Sequence, residues 1–300
     1  VIVGGGATGI EVAGILSEMK KFVLPNDYPD MSSSLMHIYL IEAGPRLLAG
    51  MSEESSAHAE QFLREMGVNI LLNKRVVDYR DHKVVLEDGT EIATRTFIWV
   101  SGVTGVTIGN LDASLIGRGG RIKVDSFNRV EGMNNVFAIG DQCIQLADEN
   151  YPNGHPQLAQ VAIQQGELLA KNLIRMEKGQ EMKPFHYRNL GSMATVGRNR
   201  AVAEFSKVKM QGWFAWVMWL VVHLRSILGV RNKVIVLLNW VWNYFTYDQS
   251  MRMIVYARKA KEIRDREKVE ETTHWGKELI QEPKQHSPQE IQQASEQEKK

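Results

Sequence analysis

Gly4, Gly6 and Gly9 stand between a short apolar run, Val1-Ile2-Val3, and a helix-forming segment. A G-x-G-x-x-G spacing after a strand is suited to binding a dinucleotide. The first glycine permits a tight turn, the second lets backbone N–H groups approach a pyrophosphate, and the third lets the helix pack closely on the strand. The helix N-terminus then favours the phosphate charge. Glu42 ends the run "MHIYLIE" (36–42). A carboxylate there can accept both ribose hydroxyls of an adenosine and repel a 2′-phosphate, favouring NADH over NADPH. Its distance from Gly9 exceeds the usual ~20 residues, and a polar insertion at 25–35 with two prolines accounts for the excess. Arg46, close by, would soften that preference. The competing readings are a glycine-rich structural turn and an ordinary surface carboxylate at a strand end.

Four further groups can do chemistry. Glu11 falls in the first turn of the expected helix, and spacing alone does not separate a helix-dipole role from a place beside a nicotinamide. "NNVFAIGDQC" (134–143) reads as a strand ending at Gly140-Asp141, a turn at which a carboxylate can bond a cofactor's sugar-like hydroxyls. Cys143 reads as a small buried filler with no His or acid to activate it. In "HPQLAQVAIQQG" (155–166), Ala159, Ala162, Ile163 and Gly166 fall on or near one helical stripe, while Gln160 and Gln164, four apart, share another face. Small residues allow a flat ring to lie against the helix and two amides can bind carbonyl oxygens, but without further context a tightly packed helix with solvated glutamines is the better reading. The histidines show no metal-ligand grouping, so no metal is expected.

The elements that must position these groups follow from periodicity. Residues 1–100 alternate buried strand-like runs with helical patterns, a βαβ order that implies a parallel sheet. A helix is expected from Thr8 to Lys20, and another over 52–67, capped by Ser52 and ended by Gly67. "VNILL" and "TFIWVSG" (96–102) read as strands, and the stretch around Asp88-Gly89 as a tight antiparallel excursion. Later, "RIKVDS" and "NNVFAIGD" read as short strands, 155–179 as a long helix, and "SMATVG" and "AVAEFS" as sheet. Three hundred residues suffice for two domains, the net charge of +1 gives no argument for nucleic acid, and the single cysteine excludes a disulfide framework.

Charge distribution is more informative than its sum. From Phe205 to Tyr247 there is no acidic residue, yet the stretch holds Lys207, Lys209, Arg225, Arg231, Lys233 and five of the seven tryptophans. That is the chemistry of a membrane interface. The uncharged runs 210–224 and 234–247 fall short of the ~20 residues a spanning helix needs, and Val234, Leu238, Val241 and Phe245 form one stripe. Helices lying in the interface are expected, with a buried hairpin or dimer contact as the alternative.

In combination and in order, "GGGATGIEVAG", "YLIEAGPRLL", "FIWVSGV", "VFAIGDQC", "HPQLAQVAIQQG", "GSMATVGRNRAVAE" and "NYFTYDQSMR" resemble the type II NADH dehydrogenases over nearly residues 1–256. These are FAD-containing, non-proton-pumping NADH:quinone oxidoreductases. The resemblance implies an α/β, two-dinucleotide-binding-domain (Rossmann-like) flavoprotein fold, with an NADH module inserted into an FAD module. It implies an NADH-binding domain at 1–118 and the C-terminal half of the FAD-binding domain at 119–206. Amphipathic membrane-anchoring helices at 207–256 and a charged, partly disordered tail at 257–300 would follow. Only one G-x-G-x-x-G is present, so the N-terminal part of the FAD domain is expected to be missing before Val1, and the chain by itself is expected to hold FAD poorly.

By the same resemblance, Gly4, Gly6 and Gly9 would hold the NADH pyrophosphate, Glu42 its ribose, and Glu11 would sit near the nicotinamide. Gly140 and Asp141 would hold the FAD ribityl–pyrophosphate region. Ala159, Gln160 and Gln164 would line the quinone side of the flavin. Leu190 stands where the family often has a lysine, and it is left out of the site. The implied chemistry is hydride transfer from NADH to FAD and then two electrons to a membrane quinone. The implied partners are that quinone and the lipid bilayer surface at the cytoplasmic face of the cell membrane, with a homodimer as an option and no nucleic acid. A soluble flavin disulfide reductase-like protein and an inactive membrane-bound NADH-binding module remain the alternatives.

Overall fold

Side chains that alternate between two buried faces build the first sheet. In this computed structural model, which describes residues 1–30, 32–106, 108–206 and 208–246, strands β1 (Ile2–Val3), β2 (Ile38–Ile41), β3 (Val68–Leu71) and β7 (Ile98–Trp99) run parallel in the order β3-β2-β1-β7. Ile2 and Leu40 turn towards helices α1 (Ala7–Glu18) and α3 (Glu53–Glu65), where they pack with Ile10, Ala13, Ala59 and Leu63. Val3 and Ile41 turn the other way. There they meet Val76, Val84 and Leu86 of an antiparallel sheet formed by β4 (Val76–Arg80), β5 (Lys83–Leu86) and β6 (Glu91–Ala93). The period of two along a strand dictates this division.

The local signals act as expected. The Ser52 hydroxyl accepts from the Ser55 amide at 3.3 Å, and Gly67 leaves α3 at φ +83°. Gly89 turns at φ +83°, its N–H donating to Leu86 O at 2.9 Å. Helix α1 differs from expectation: it starts at Ala7 and passes through a π-helical stretch, Met19–Val23, into a short α2 (Leu24–Asp27) inside the proline-bearing insertion.

The second half departs further. β8 (Ile122–Val124) pairs in parallel with β9 (Cys143–Gln145), whereas the strand expected in "NNVFAIGD" does not form. Residues 136–138 instead lie against 128–130 as a broken pair, with Ala138 N–H on Asn128 O at 3.0 Å, because Asn128 sits at φ +62° and interrupts the ladder. Helix α4 (Ala159–Glu177) begins four residues later than its pattern suggests. Pro156 disfavours helical backbone at the residue before it, and Leu158 is still extended at φ −133°, ψ 144°.

A third sheet, β10 (Ser192–Thr195), β11 (Ala201–Phe205) and β12 (Val208–Gln211), is antiparallel. β12 occupies residues expected to open the membrane-anchoring helices. One face, with Ala194 and Val202, joins the core of α1 and α3, and the other, with Ala201 and Ala203, packs Ala215 of α5 (Gly212–Ser226). α5 therefore has a buried side and is not simply laid on a surface. α6 (Val230–Thr246) follows. Val1–Val241 make one compact unit, and Trp242 opens a second that is described only to residue 246. The expected tail (257–300) and the end of "NYFTYDQSMR" lie outside the described residues.

Below β9 a buried side-chain hydrogen bond closes the loop before α4. Asp148 Oδ2 and His155 Nε2 are 3.0 Å apart, with side chains 2% and 1% exposed, among the rings of Tyr151, Phe185 and Tyr187. Burial pushes the Asp148 carboxyl up, but hydrogen bonds from His155 and from the Asn150 and Tyr187 amides outweigh it, so its pKa lies below the usual range. A carboxyl depressed in the folded state contributes stability that is present above its unfolded pKa, about 4, and is lost as pH falls through the folded value. The urea midpoint should therefore fall as the pH drops below about 4. Asp148→Asn should be less stable at pH 7, by roughly 1–3 kcal/mol, and should lose less than wild type on acidification. Parallel acid titrations of the two proteins would refute the assignment.

Candidate functional site

The glycine turn divides its labour among positions. Gly4 takes φ +115°, and a Cβ there would come within 2.8 Å of Val100 O. At Gly9 a Cβ would lie 1.8 Å from Gly4 O, so only glycine lets α1 press onto its own entry turn. Gly6 is different: its backbone is ordinary (φ −74°, ψ −177°) and a Cβ would meet nothing within 4 Å. That open, exposed side is where α1 begins, with no side-chain cap and no acid in its first turn. Unpaired N–H groups and the positive end of the helix dipole face it, a fit for a pyrophosphate.

Glu42 directly follows β2 at this turn, accepting from the Gly5 amide at 2.5 Å and the Gly44 amide at 2.7 Å. The carboxylate is thereby fixed and half-buried beside the open space. Gly5 is a participant that motif spacing passes over: a Cβ there would meet Leu47 Cδ2 at 2.7 Å and Glu42 Oε2 at 2.9 Å. Its only sequence signal is the unbroken run Gly4-Gly5-Gly6. The Arg46 guanidinium donates to the carbonyls of Leu48, Ala49 and Met51 at 3.4, 2.9 and 2.8 Å, so it braces this loop.

Glu11 lies in the second turn of α1, not the first, because the helix starts at Ala7. This removes the helix-dipole reading, whose effect is confined to the first turn. Its Oε1 faces Thr195, with the hydroxyl at 3.3 Å and the amide at 3.5 Å, and so ties α1 to β10.

The second turn is Gly140-Asp141. Gly140 sits at φ +65° with Ala162 3.2 Å from where its Cβ would be, and Asp141 is exposed. The Gly140 amide donates to Gln165 Oε1 at 2.7 Å, and Gln165, 1% exposed, also touches the Cys143 thiol. Sequence reasoning missed Gln165, because it follows Gln164 directly and only the rotation of the helix turns it inward. Cys143 is buried as expected, and burial pushes its thiol up, which suits a filler and not a nucleophile. Ala159 opens α4, whose N-terminus has no side-chain cap and no acid in its first turn.

Gln160 and Gln164, both half-buried, have their amides engaged with main chain. Gln160 donates to Gly191 O at 3.0 Å and accepts from the Leu190 amide at 3.1 Å. Gln164 donates to Arg188 O at 2.9 Å and accepts from the Arg188 amide at 3.0 Å. Glu11, Gln160 and Gln164 therefore converge on one stretch, residues 188–195, while the glycine turn with Glu42 and the Gly140 turn with Ala159 form the two other groupings. Among the described residues no cluster of His, Cys, Asp and Glu can hold a metal ion.

Residues 1–166 match the family described as pyridine nucleotide-disulphide oxidoreductase, and residues 189–247 match the NDH2 C-terminal domain. A protein of Mycobacterium tuberculosis named type II NADH:quinone oxidoreductase NdhA is 35% identical over 253 residues, 80% of this chain and 52% of the relative. An internal alternative NAD(P)H-ubiquinone oxidoreductase A1, mitochondrial, of Arabidopsis thaliana is 32% identical over 262 residues, 81% of this chain and 50% of the relative. The chain thus spans about half the length of the curated relatives it matches. The structure of NDH2 from Plasmodium falciparum in complex with NADH superposes with a TM-score of 0.74 at 19% identity, covering 84% of this chain and 66% of that one, a likeness of fold.

Proposed function

This chain belongs to the pyridine nucleotide-disulphide oxidoreductases, and from that premise we propose that it serves as a type II NADH dehydrogenase, an NADH:quinone oxidoreductase that binds FAD and does not pump protons. The observation that carries the NADH half is the turn at Gly6, open and uncapped beside a fixed Glu42 carboxylate. The pyrophosphate would lie against Gly6 and the α1 N-terminus, with the adenosine ribose on Glu42. Gly140, Asp141 and the uncapped start of α4 are fitted to a flavin's ribityl and phosphate groups. Bound flavin would supply the acceptance of hydride from NADH and the delivery of two electrons to quinone. The chain's own part is to orient rings, exclude water and keep reacting atoms about 3–3.5 Å apart. No residue needs to be a nucleophile. Ala159, Gln160 and Gln164 would line the quinone side, and Glu11 the nicotinamide side.

A quinone confined to lipid calls for a protein at the membrane surface. No helix among the described residues is long and apolar enough to cross a membrane, whereas Phe214, Leu228 and Leu238 are 69%, 87% and 62% exposed. The cytoplasmic face of the cell membrane supplies NADH to such an enzyme.

The test is NADH-dependent reduction of a short-chain quinone by the purified protein incubated with FAD, run beside NADPH and beside Glu42→Gln. Quinone reduction with NADH preferred is expected. The preference should shrink about 10-fold or more in Glu42→Gln, because a hydrogen bond to a charged group contributes about 1.5–3 kcal/mol. Absence of quinone reduction by protein that holds flavin would overturn the reading, and an unmoved preference would remove Glu42 from the ribose.

A further inference from the structure

The backbone between Lys183 and Gly191 belongs to no sheet, yet it follows α4 in the opposite direction, held by three side-chain amides of that helix. Asn172, 1% exposed, donates to Lys183 O at 2.8 Å and accepts from the Lys183 amide at 2.9 Å. Gln164 makes the same two-sided pair with Arg188, and Gln160 pairs with the Leu190 amide and the Gly191 carbonyl. A carboxamide presents one donor and one acceptor side by side, as a strand's peptide group does. The spacing fits. Four helical residues rise about 6 Å, and two extended residues, Arg188 to Leu190, about 6.6 Å. Phe185 and Tyr187, between the anchor points, are buried with Val161 of the helix. Both hydrogen-bonding ends of the Gln160 and Gln164 amides are thus engaged with main chain at the face where a quinone would approach.

We infer that Gln160, Gln164 and Asn172 form a carboxamide ladder that replaces a strand partner for residues 183–191, and that the two glutamines serve quinone reduction as positioning residues that fix this strap, not as quinone ligands. The second half of the inference rests on the quinone reading above. Asn172 separates the two roles, because it lies about 18 Å along the helix from Gln160, too far for one quinone ring to touch both.

Hydrogen exchange of the full chain reads the ladder without any activity. The Arg188, Leu190 and Lys183 amides should be protected in wild type. The Arg188 amide should exchange at least about 10-fold faster in Gln164→Leu, and the Lys183 amide likewise in Asn172→Leu, with β3 amides unchanged. Gln164→Glu keeps an acceptor for the Arg188 amide and loses only the donor, so it should be intermediate. It also serves if the leucine variant does not fold. In turnover, Asn172→Leu should raise the quinone KM roughly 3- to 10-fold and leave NADH:ferricyanide activity as in wild type. Free exchange of these amides in wild type overturns the ladder. Gln160 and Gln164 variants that raise the quinone KM with wild-type exchange, beside a silent Asn172→Leu, overturn the positioning role. If wild type shows the expected protection but reduces no quinone, the quinone reading fails and the ladder stands.

Discussion

Gly9→Ala should unfold the nucleotide-binding module under conditions in which Gly6→Ala remains folded, and Gly6→Ala should be the variant that loses NADH. At Gly9 the added methyl would sit 1.8 Å from Gly4 O, a backbone atom of a turn already held at φ +115°. Nothing flexible can yield there: Gly4 is bonded through its amide to Ile41 O at 2.9 Å, and its would-be Cβ side abuts Val100 and Ser101. The strain must move α1 off β1, at a cost of at least about 3 kcal/mol, or roughly 6–12 °C in melting temperature for a unit of this size. Gly6 carries the opposite expectation. Its backbone suits any residue and its side is empty, so the melting temperature should hold within about 1 °C while the methyl occupies the space a pyrophosphate would use, weakening NADH by about 10-fold or more. Thermal melts and NADH titrations of the two variants settle it. NADH affinity undiminished in Gly6→Ala would show that the pyrophosphate binds elsewhere, and a wild-type melt of Gly9→Ala would show that the helix does not need this approach.

The second large effect is expected at the membrane. Replacing Leu228 and Leu238 with glutamate should abolish flotation with anionic liposomes. Both side chains are more than half exposed, so the change leaves the core intact, and each apolar side chain transferred to lipid contributes about 1.5–3 kcal/mol. Losing two such contributions weakens partitioning on the order of 100-fold or more. Cutting the chain back to Glu204 would be a poorer experiment, because it would remove β12 and uncover Ala201 and Ala203, which α5 buries. High salt should weaken wild-type flotation only partly. Arg225, Arg231 and Lys233 contribute about 1 kcal/mol each near an anionic surface, whereas Lys209 pairs with Glu54 at 3.2 Å and contributes less. Flotation of the double variant equal to wild type would place the membrane contact elsewhere.

What was legible in the sequence is what a single residue's backbone or a period of two decides. Gly4, Gly67 and Gly89 all take positive φ, Ser52 caps its helix, and the paired faces of β1 and β2 follow from alternation. What was not legible depends on partners distant in sequence. β12 reads as the start of an amphipathic stretch until β11 is beside it. The run "VFAI" has strand composition, and Asn128 on its neighbour breaks the ladder. The glutamines of α4 read as solvated or ligand-binding because nothing in their spacing announces residues 188–191, twenty-four or more positions later.

Helix α1 is pressed from two sides, and the second has a consequence for how such a protein can be rebuilt. At Gly14 a Cβ would lie 2.6 Å from Val196 O, Glu11 and Glu18 bond the Thr195 hydroxyl and the Arg198 amide, and Ser52 and Glu65 reach Glu204 and Arg200. The dinucleotide turn and the C-terminal sheet are thus two sides of one helix, and a graft taken at residue 118 would cut through the mutual dependence. Exchanging the nucleotide specificity of this chain by recombination would require residues 192–205 to travel with the donor's first 118, so inheritance of one half constrains inheritance of the other.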